Sequence, residues 1–226
     1  MHRAIAELVA TLAPPACCAC GRPVRDATEP LCGTCRRGLP WLRGPRCPRC
    51  ALPAPCGPCP GSRLAFDASW APVAHAGSAR AAVRALKFEN RLALADAMAA
   101  QMAAVAPAAL LEQADALVPV PPDRARARRR GFDPAALLAR GLARRTGLSV
   151  VPCLRRTGPA SRQLGARARD RRAAGRLRIE ASRPAPTRVL LVDDVHTTGA
   201  TLHACAGALR AAGARRVAAI TYSRTL

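Results

Sequence analysis

One stretch, residues 188–201, constrains the fold more than any other part of the chain. It reads Arg-Val-Leu-Leu-Val-Asp-Asp-Val-His-Thr-Thr-Gly-Ala-Thr. The continuous apolar run Val189 to Val192 is typical of a parallel strand that is buried on both faces. From Thr201 to Ala212 the apolar residues have helical spacing, and Gly213 is a typical helix stop. Because Val217 to Tyr222 predicts a second buried strand, the whole segment predicts a strand–helix–strand unit of an α/β fold.

The loop inside this unit has the composition of a ligand site. Asp193 and Asp194 stand at the carboxyl end of the strand, where open α/β sheets bind their ligands. Adjacent carboxylates accept hydrogen bonds well from a vicinal diol. A helix N-terminus with hydroxyls and close backbone amides binds phosphate, and the residues placed there are Thr197, Thr198, Gly199, Ala200 and Thr201. The pattern indicates a phosphorylated sugar, and its ordered array argues against the alternative of an ordinary glycine-containing turn.

Nine of the 11 cysteines lie between Cys17 and Cys59. Eight of them form four Cys-x-x-Cys pairs, which suit two tetrahedral, structural zinc sites: Cys17/Cys20, Cys32/Cys35, Cys47/Cys50 and Cys56/Cys59. Little else here could form a core, so metal binding would supply the folding energy. Disulfides, which need an oxidising compartment, and an iron–sulfur cluster are the alternatives. Sequential pairing of the knuckles is the simpler arrangement, and a cross-braced one stays open.

We expect the chain to divide near Pro60-Gly61-Ser62. Residues 1–14 would form an N-terminal helix, residues 15–62 a double zinc ribbon, and residues 63–226 the α/β domain. Within that domain the apolar patterns predict strands at 68–74, 116–121 and 148–151, and helices at 78–86, 90–105 and 133–146.

The chain is strongly basic, with a formal net charge of +22. Lys87 is its only lysine, and the abundance of Arg, Ala, Pro and Gly also suggests a GC-rich coding sequence, so part of the charge can be compositional. Between Pro121 and Arg178, however, 17 arginines face three aspartates. This segment is a candidate surface for pyrophosphate, for nucleic acid or for both. Five arginines within residues 124–130 predict a mobile polyanion-binding loop, with a solvated charge run as the alternative.

A second loop is predicted at residues 155–172, which are polar, contain glycine and show no clear period. A long loop of this kind is either functional or irregular surface. One hypothesis is a lid that closes over the sugar and excludes water, and the other is a surface loop with no role at the site.

No apolar stretch has the length and purity of a membrane span. Residues 1–13 predict a short amphipathic helix, and because Glu7 interrupts its apolar run we do not expect a signal peptide. The expected location is the cytoplasm, and we expect the protein not to be an integral membrane protein.

Taken together, the motifs resemble those of the ComF family, and the stretch at 188–201 resembles the fingerprint of type I phosphoribosyltransferases. The resemblance covers nearly the whole chain, and the combination is more specific than any single motif. Its elements are the cysteine pairs, Lys87-Phe88, Pro119-Val120-Pro121, Arg130-Gly131-Phe132, the Arg-Arg…Gln loop and residues 192–201.

The resemblance implies a type I phosphoribosyltransferase-like fold, a mostly parallel sheet with helices on both faces. It implies phosphoribosyl pyrophosphate as ligand, with Mg²⁺, and work on incoming single-stranded DNA together with the DNA-uptake machinery of natural competence. Asp193 and Asp194 would be the catalytic residues and would hold the ribose hydroxyls. Pro121, Arg130 and Lys87 would join the 197–201 loop as ligand-binding residues, although the setting of Lys87 also fits a solvated side chain.

Three hypotheses about function follow. The first is an enzyme that transfers the phosphoribosyl group from phosphoribosyl pyrophosphate to an acceptor. The second is a non-catalytic single-stranded DNA-binding or regulatory protein on the same fold. The third is a zinc-stabilised scaffold that binds neither ligand. The acceptor is not legible in the sequence.

Overall fold

The computed structural model describes residues 15–24, 30–157 and 177–226. The predicted N-terminal helix lies outside these described residues, and so do residues 158–172 of the predicted second loop. The helices are α1 (Gly33–Arg37), α2 (Gly77–Phe88), α3 (Ala93–Val105), α4 (Ala108–Glu112), α5 (Arg124–Arg130), α6 (Pro134–Thr146) and α7 (Ala200–Ala211). The strands are β1 (Ala68–Trp70), β2 (Val73–Ala74), β3 (Ala116–Pro119), β4 (Ser149–Val150), β5 (Leu154–Thr157), β6 (Arg178–Ala181), β7 (Arg188–His196) and β8 (Arg216–Arg224).

A six-stranded parallel sheet forms the centre of the described protein. Its order is β1-β8-β7-β3-β4, and β2 pairs with β8 on the same side as β1. All its pairings are parallel, while β5 and β6 form a separate antiparallel pair. The predicted mostly parallel sheet is therefore confirmed.

The apolar run of β7 serves two cores at once. Leu190 and Val192 pack into one cluster, beside residues of α2, α3 and α6. Val189 and Leu191 pack into the other, against α7. Successive side chains of a strand point to opposite faces, so helices on both faces require an unbroken apolar run. Each such fully buried side chain stabilises the fold by about 1.5–3 kcal/mol.

Several boundaries differ from the sequence prediction. Strand β7 continues past Val192 to His196, because its pairing with β8 extends to His196 opposite Arg224, so the two aspartates lie inside the strand. The predicted strand at 68–74 is two strands, since Pro72 between them has no N–H to donate. The antiparallel pair of β5 and β6 and the helix α4 were not predicted.

The prediction of a mobile loop at residues 124–130 is wrong, because these residues form helix α5. The carboxylate of Asp123 caps it by accepting from the Arg126 N–H at 3.1 Å. Gly131 ends it in the left-handed conformation, with φ at 79°. Arginine is itself a good helix former, so two capping residues suffice. Residues 155–157, also predicted as loop, belong to strand β5.

Within the described ranges, none of the helices has both the length and the apolar character that crossing a bilayer requires.

Candidate functional site

The sheet order creates a crevice between β3 and β7. From β3 the chain moves outward to β4, whereas from β7 it moves in the opposite direction to β8. Such a switch point leaves a crevice beyond the carboxyl ends of the two strands, where ligands of open α/β sheets bind. A cavity of about 820 Å³ lies there. Its walls include Pro121, which is buried, and the acids of β7.

Positive charge dominates this cleft. Seven cationic side chains line it against four aspartates. The cations are Arg80, Arg84, Lys87, Arg126, Arg129, Arg130 and Arg156, and the acids are Asp123, Asp133, Asp193 and Asp194. Clefts lined mainly by one sign of charge concentrate ligands of the opposite sign, so the cleft favours an anionic ligand.

The two adjacent aspartates differ in their surroundings. Asp194 is only 4% exposed, and its Oδ2 lies 2.5 Å from Nζ of Lys87 on α2 as an ion pair without hydrogen-bond geometry. Asp193 Oδ1 accepts from the Asp194 N–H at 2.8 Å. Burial, and then the charge of Asp194, raise the pKa of Asp193 well above its ordinary value. Lys87 is ion-paired with Asp194 and not with Asp193, so hydroxyl donors or a cation from a ligand would stabilise the acid pair.

The loop after β7 brings its hydroxyls to the cleft unequally. Thr197 and Thr201 line the cavity. Thr198 Oγ1 instead accepts from the Ala200 N–H at 3.4 Å, at the point where α7 begins. The backbone amides in the first turn of this twelve-residue helix suit a phosphate.

Gly199 is required by two features of this loop. Its φ is +81°, in the left-handed region that side chains disfavour. A Cβ there would also lie 2.8 Å from Leu64 Cδ1 and 2.9 Å from His196 Nε2. The backbone at Gly199 therefore lies too close to Leu64 and His196 for any residue with a side chain.

Two buried side chains, neither singled out by sequence reasoning, support the loop from behind. His196 packs edge-on against Phe66 at 5.8 Å between ring centroids, and burial, then Arg224, lower its pKa to about 4. Arg224 is 4% exposed. Its guanidinium donates to the carbonyls of His196 at 2.9 Å, Thr197 at 2.6 Å and, on the zinc-ribbon side, Cys50 at 2.7 Å. Because the chain has 35 arginines, nothing in the sequence around Arg224 distinguishes it as the one that supports this loop.

His75 is another cleft residue that sequence reasoning missed. Its Nδ1 lies 3.0 Å from Ser223 Oγ, and that hydroxyl donates to the Asp194 carbonyl at 3.3 Å. Burial, followed by the charges of Lys87 and Arg80, lowers the pKa of His75 below its ordinary value. The lowered pKa favours the neutral form of this ring at the cleft wall.

Arg130 lines the cleft, and its guanidinium lies near two aromatic rings. Its guanidinium carbon is 5.4 Å from the Phe88 centroid and 5.8 Å from the Phe132 centroid. Both distances are within the range of cation–π attraction. Arg156 brings β5 to the same cleft, whereas residues 158–172 of the hypothetical lid lie outside the described residues.

The eight ribbon cysteines gather into two clusters. Each cluster holds four sulfur atoms within 4.8 Å of one another, Cys17 with Cys20, Cys32 and Cys35, and Cys47 with Cys50, Cys56 and Cys59. The sulfur–sulfur distances Cys20–Cys32, Cys47–Cys59 and Cys50–Cys56 are 3.7, 3.6 and 3.6 Å. Tetrahedral Zn–S bonds of about 2.3 Å place sulfurs about 3.8 Å apart. The clusters thus fit structural Zn²⁺, in the sequential arrangement of the knuckles.

A switch-point cleft on a mostly parallel sheet, joined to two cysteine clusters, defines an α/β protein with a double zinc ribbon. A family model described as a double zinc ribbon domain matches residues 8–66. The "DNA utilization protein YhgH" of Salmonella typhimurium strain LT2 is 30% identical over 231 residues, which cover 94% of this chain and 98% of that protein. Its Escherichia coli K12 counterpart is 31% identical with the same coverage. The chain belongs to the ComF family with these proteins.

Two solved structures also align with part of the chain. A glutamine phosphoribosylpyrophosphate amidotransferase from B. subtilis is 26% identical, with a TM-score of 0.38 over 56% of this chain and 26% of its own. An orotate phosphoribosyltransferase from Aeropyrum pernix is 21% identical, with a TM-score of 0.35 over 61% of this chain and 62% of its own.

Proposed function

We propose that the cleft binds phosphoribosyl pyrophosphate with Mg²⁺, that it transfers the phosphoribosyl group, and that the protein acts on DNA during its uptake or use. One observation carries the first part. An acid pair, with Asp194 buried and Asp193 half-buried, and a helix N-terminus with threonine hydroxyls stand beside one positively charged cleft at the switch point of the sheet. The DNA part is supported by the name of the relatives, which are DNA utilization proteins.

The charges and hydrogen-bonding groups of the cleft favour one orientation of the proposed ligand. Its ribose hydroxyls would donate to Asp193 and Asp194. Its 5-phosphate would accept from the amides and hydroxyls of the loop at 197–201. Its pyrophosphate would then face α5, where Arg126, Arg129 and Arg130 line the cleft.

The acid pair also fits a magnesium ion. Mg²⁺ is usually held by one or two carboxylates together with substrate phosphates, and Lys87 forms its ion pair with Asp194 rather than with Asp193. When bound, the ion would neutralise the pyrophosphate. In the transfer itself, the bond from C1 to the pyrophosphate oxygen breaks and its electron pair leaves with pyrophosphate. The acceptor's lone pair forms the new bond to C1 and its proton is released. The arginines stabilise the departing charge.

Changing both acids tests the ligand assignment. The double substitution Asp193→Asn with Asp194→Asn should weaken phosphoribosyl pyrophosphate binding at least about 100-fold, because amides hold neither the diol nor the metal as carboxylates do. Isothermal titration calorimetry in Mg²⁺ measures this. The matched control, Asp96→Asn with Glu112→Gln, removes the same charge outside the cleft and should bind normally. Equal affinity of the two double variants would sink the assignment.

Activity needs a separate measurement. Pyrophosphate release should depend on phosphoribosyl pyrophosphate and on a candidate acceptor, DNA included, and should disappear in the acid-pair variant. Binding without acceptor-dependent release would favour the non-catalytic, regulatory hypothesis.

Single-stranded DNA binding is the second candidate function, favoured by the arginine face of α5. Arg124 and Arg128 are exposed and do not line the cavity. Exposed arginines at this spacing suit the phosphates of a nucleic-acid backbone. They lie next to the cleft, so one strand could run past it.

Removing these two arginines should weaken single-stranded DNA binding and leave sugar-phosphate binding unchanged. We expect the variant Arg124→Gln with Arg128→Gln to reduce the salt slope by about 1.4, since each lost phosphate contact on a single strand contributes about 0.7. A gel-shift salt series measures the slope. The control variant Arg215→Gln with Arg216→Gln changes two exposed arginines at the amino end of β8, whereas the cleft lies at the carboxyl ends of the strands. It should leave the salt slope unchanged. A response to salt that is flat in the unmodified protein would reject this function.

A further inference from the structure

We infer that Phe88, backed by Arg130 and Phe132, is a stacking site for a nucleobase at the mouth of the cleft. The chain has only six aromatic residues besides histidine, two Trp, one Tyr and three Phe, and all six lie in the described residues. Phe66, Trp70 and Tyr222 are buried and Trp41 and Phe132 are partly so. Phe88 is 67% exposed, and it is a wall residue of the cleft.

Exposure of this ring costs free energy in water, and the fold does not hide it. Phe88 is the last residue of α2, whose buried side is formed by residues such as Val83 and Leu86. The preceding residue, Lys87, turns to Asp194 inside the cleft. The end of α2 thus presents a cation to the acid pair and a ring to the entrance, one residue apart.

Arg130 places a positive charge next to the Phe88 ring, which suits a nucleotide because its base is flat and its phosphate is negative. Its guanidinium lies within 6 Å of the centroids of both Phe88 and Phe132. Because Phe88 is mostly exposed, its ring still offers surface to a flat ligand. Planar bases stack on aromatic rings and on guanidinium planes, and the surrounding cations attract the phosphates that accompany a base. An aliphatic partner would gain nothing from this arrangement of charge.

This inference deepens the proposed function, because it places a base beside the proposed site of the sugar phosphate. The base can come from a free nucleotide or from a single strand that passes α5, and the chemistry of stacking is common to both. The site does not itself require phosphoribosyl pyrophosphate, so it can be tested with that ligand absent.

The experiment compares short oligothymidylate with an abasic oligonucleotide of equal length and charge, and adds thymidine 5′-monophosphate as a free nucleotide. Phe88→Ala should weaken binding of oligothymidylate, of thymidine monophosphate or of both about tenfold, since a base stacked on an aromatic ring typically contributes that much. Binding of the abasic strand should change by less than about twofold. Loss with the strand alone would identify a base in single-stranded nucleic acid, and loss with the monophosphate a free nucleotide.

Matched variants separate stacking from simple loss of apolar surface. Phe88→Leu should behave as Phe88→Ala does, and Phe88→Tyr as the unmodified protein. Leu92 is 46% exposed, four residues further along the chain, and is not part of the cleft wall. Leu92→Ala should therefore leave the binding of all three probes unchanged. Because Phe88 is exposed, its variants should keep their melting temperature. If both base-containing probes bind Phe88→Ala and the unmodified protein equally, or if the abasic strand weakens as much, the inference is overturned. Failure of calorimetric sugar-phosphate binding would leave this result standing.

Discussion

Replacing Cys47 and Cys56 together by serine is expected to lower bound zinc from two ions per chain to one and to unfold the second ribbon. These residues belong to one four-sulfur cluster, so the other cluster keeps all its ligands. Structural zinc sites contribute about 10 kcal/mol or more of apparent binding free energy, which is folding free energy. Metal analysis of the purified chain by mass spectrometry gives the count, and thermal melting gives the loss of structure.

The remaining cysteines provide the controls. Cys17→Ser with Cys32→Ser should also leave one ion, because both residues lie in the first cluster. Cys18→Ser should leave two, since Cys18 lies in the ribbon but in neither cluster. A cross-braced arrangement would instead lose ligands from both ions in either double variant. Zinc content unchanged by the substitutions would contradict the structural metal sites.

Arg224→Met is expected to lower the free energy of unfolding by about 4 kcal/mol and to weaken sugar-phosphate binding. The side chain is buried and donates to the carbonyls of Cys50, His196 and Thr197. A hydrogen bond to a charged group contributes about 1.5–3 kcal/mol, and a carbonyl left unsatisfied adds its own desolvation cost. Urea unfolding measures the first effect, and calorimetry with phosphoribosyl pyrophosphate the second.

Two further variants make this result specific. Arg216→Met changes an exposed arginine at the start of the same strand and should lower the unfolding free energy by less than about 0.5 kcal/mol. Arg224→Lys keeps the charge but loses the planar fork that reaches several carbonyls, so it should recover only part of the loss. If Arg224→Met were as stable as Arg216→Met, the guanidinium would not be what joins ribbon and loop.

The connection through Arg224 also relates the two largest effects. Cys50 is a member of the second cysteine cluster, and its carbonyl accepts from the same guanidinium that holds the backbone after β7. Loss of the second ribbon should therefore disturb the loop at 197–201, the proposed phosphate site, through this side chain. The second ribbon then helps to hold the loop beside the cleft, in addition to binding its own metal ion.

Local chemistry allowed much of this protein to be predicted from its sequence. The apolar run of β7, the helix after Gly199 and the four cysteine knuckles each combine a period or spacing with the side chains that require it. The helix predicted at 133–146 is α6, and Asp133 and Gly147 cap its two ends. Helix α5 was missed because five arginines suggested a mobile polyanion-binding loop, whereas the caps at Asp123 and Gly131 favour a helix.

What the sequence determined by itself was the central strand, the loop that follows it and the cysteine pairs, since each depends on neighbours a few residues away. Only the tertiary structure decided that Lys87 meets Asp194, that Phe88 meets Arg130 and that Arg224 meets Cys50, 174 residues away. The physical reason is that these contacts follow from the order of the strands and the packing of helices on them, which no local pattern of apolar and polar residues specifies.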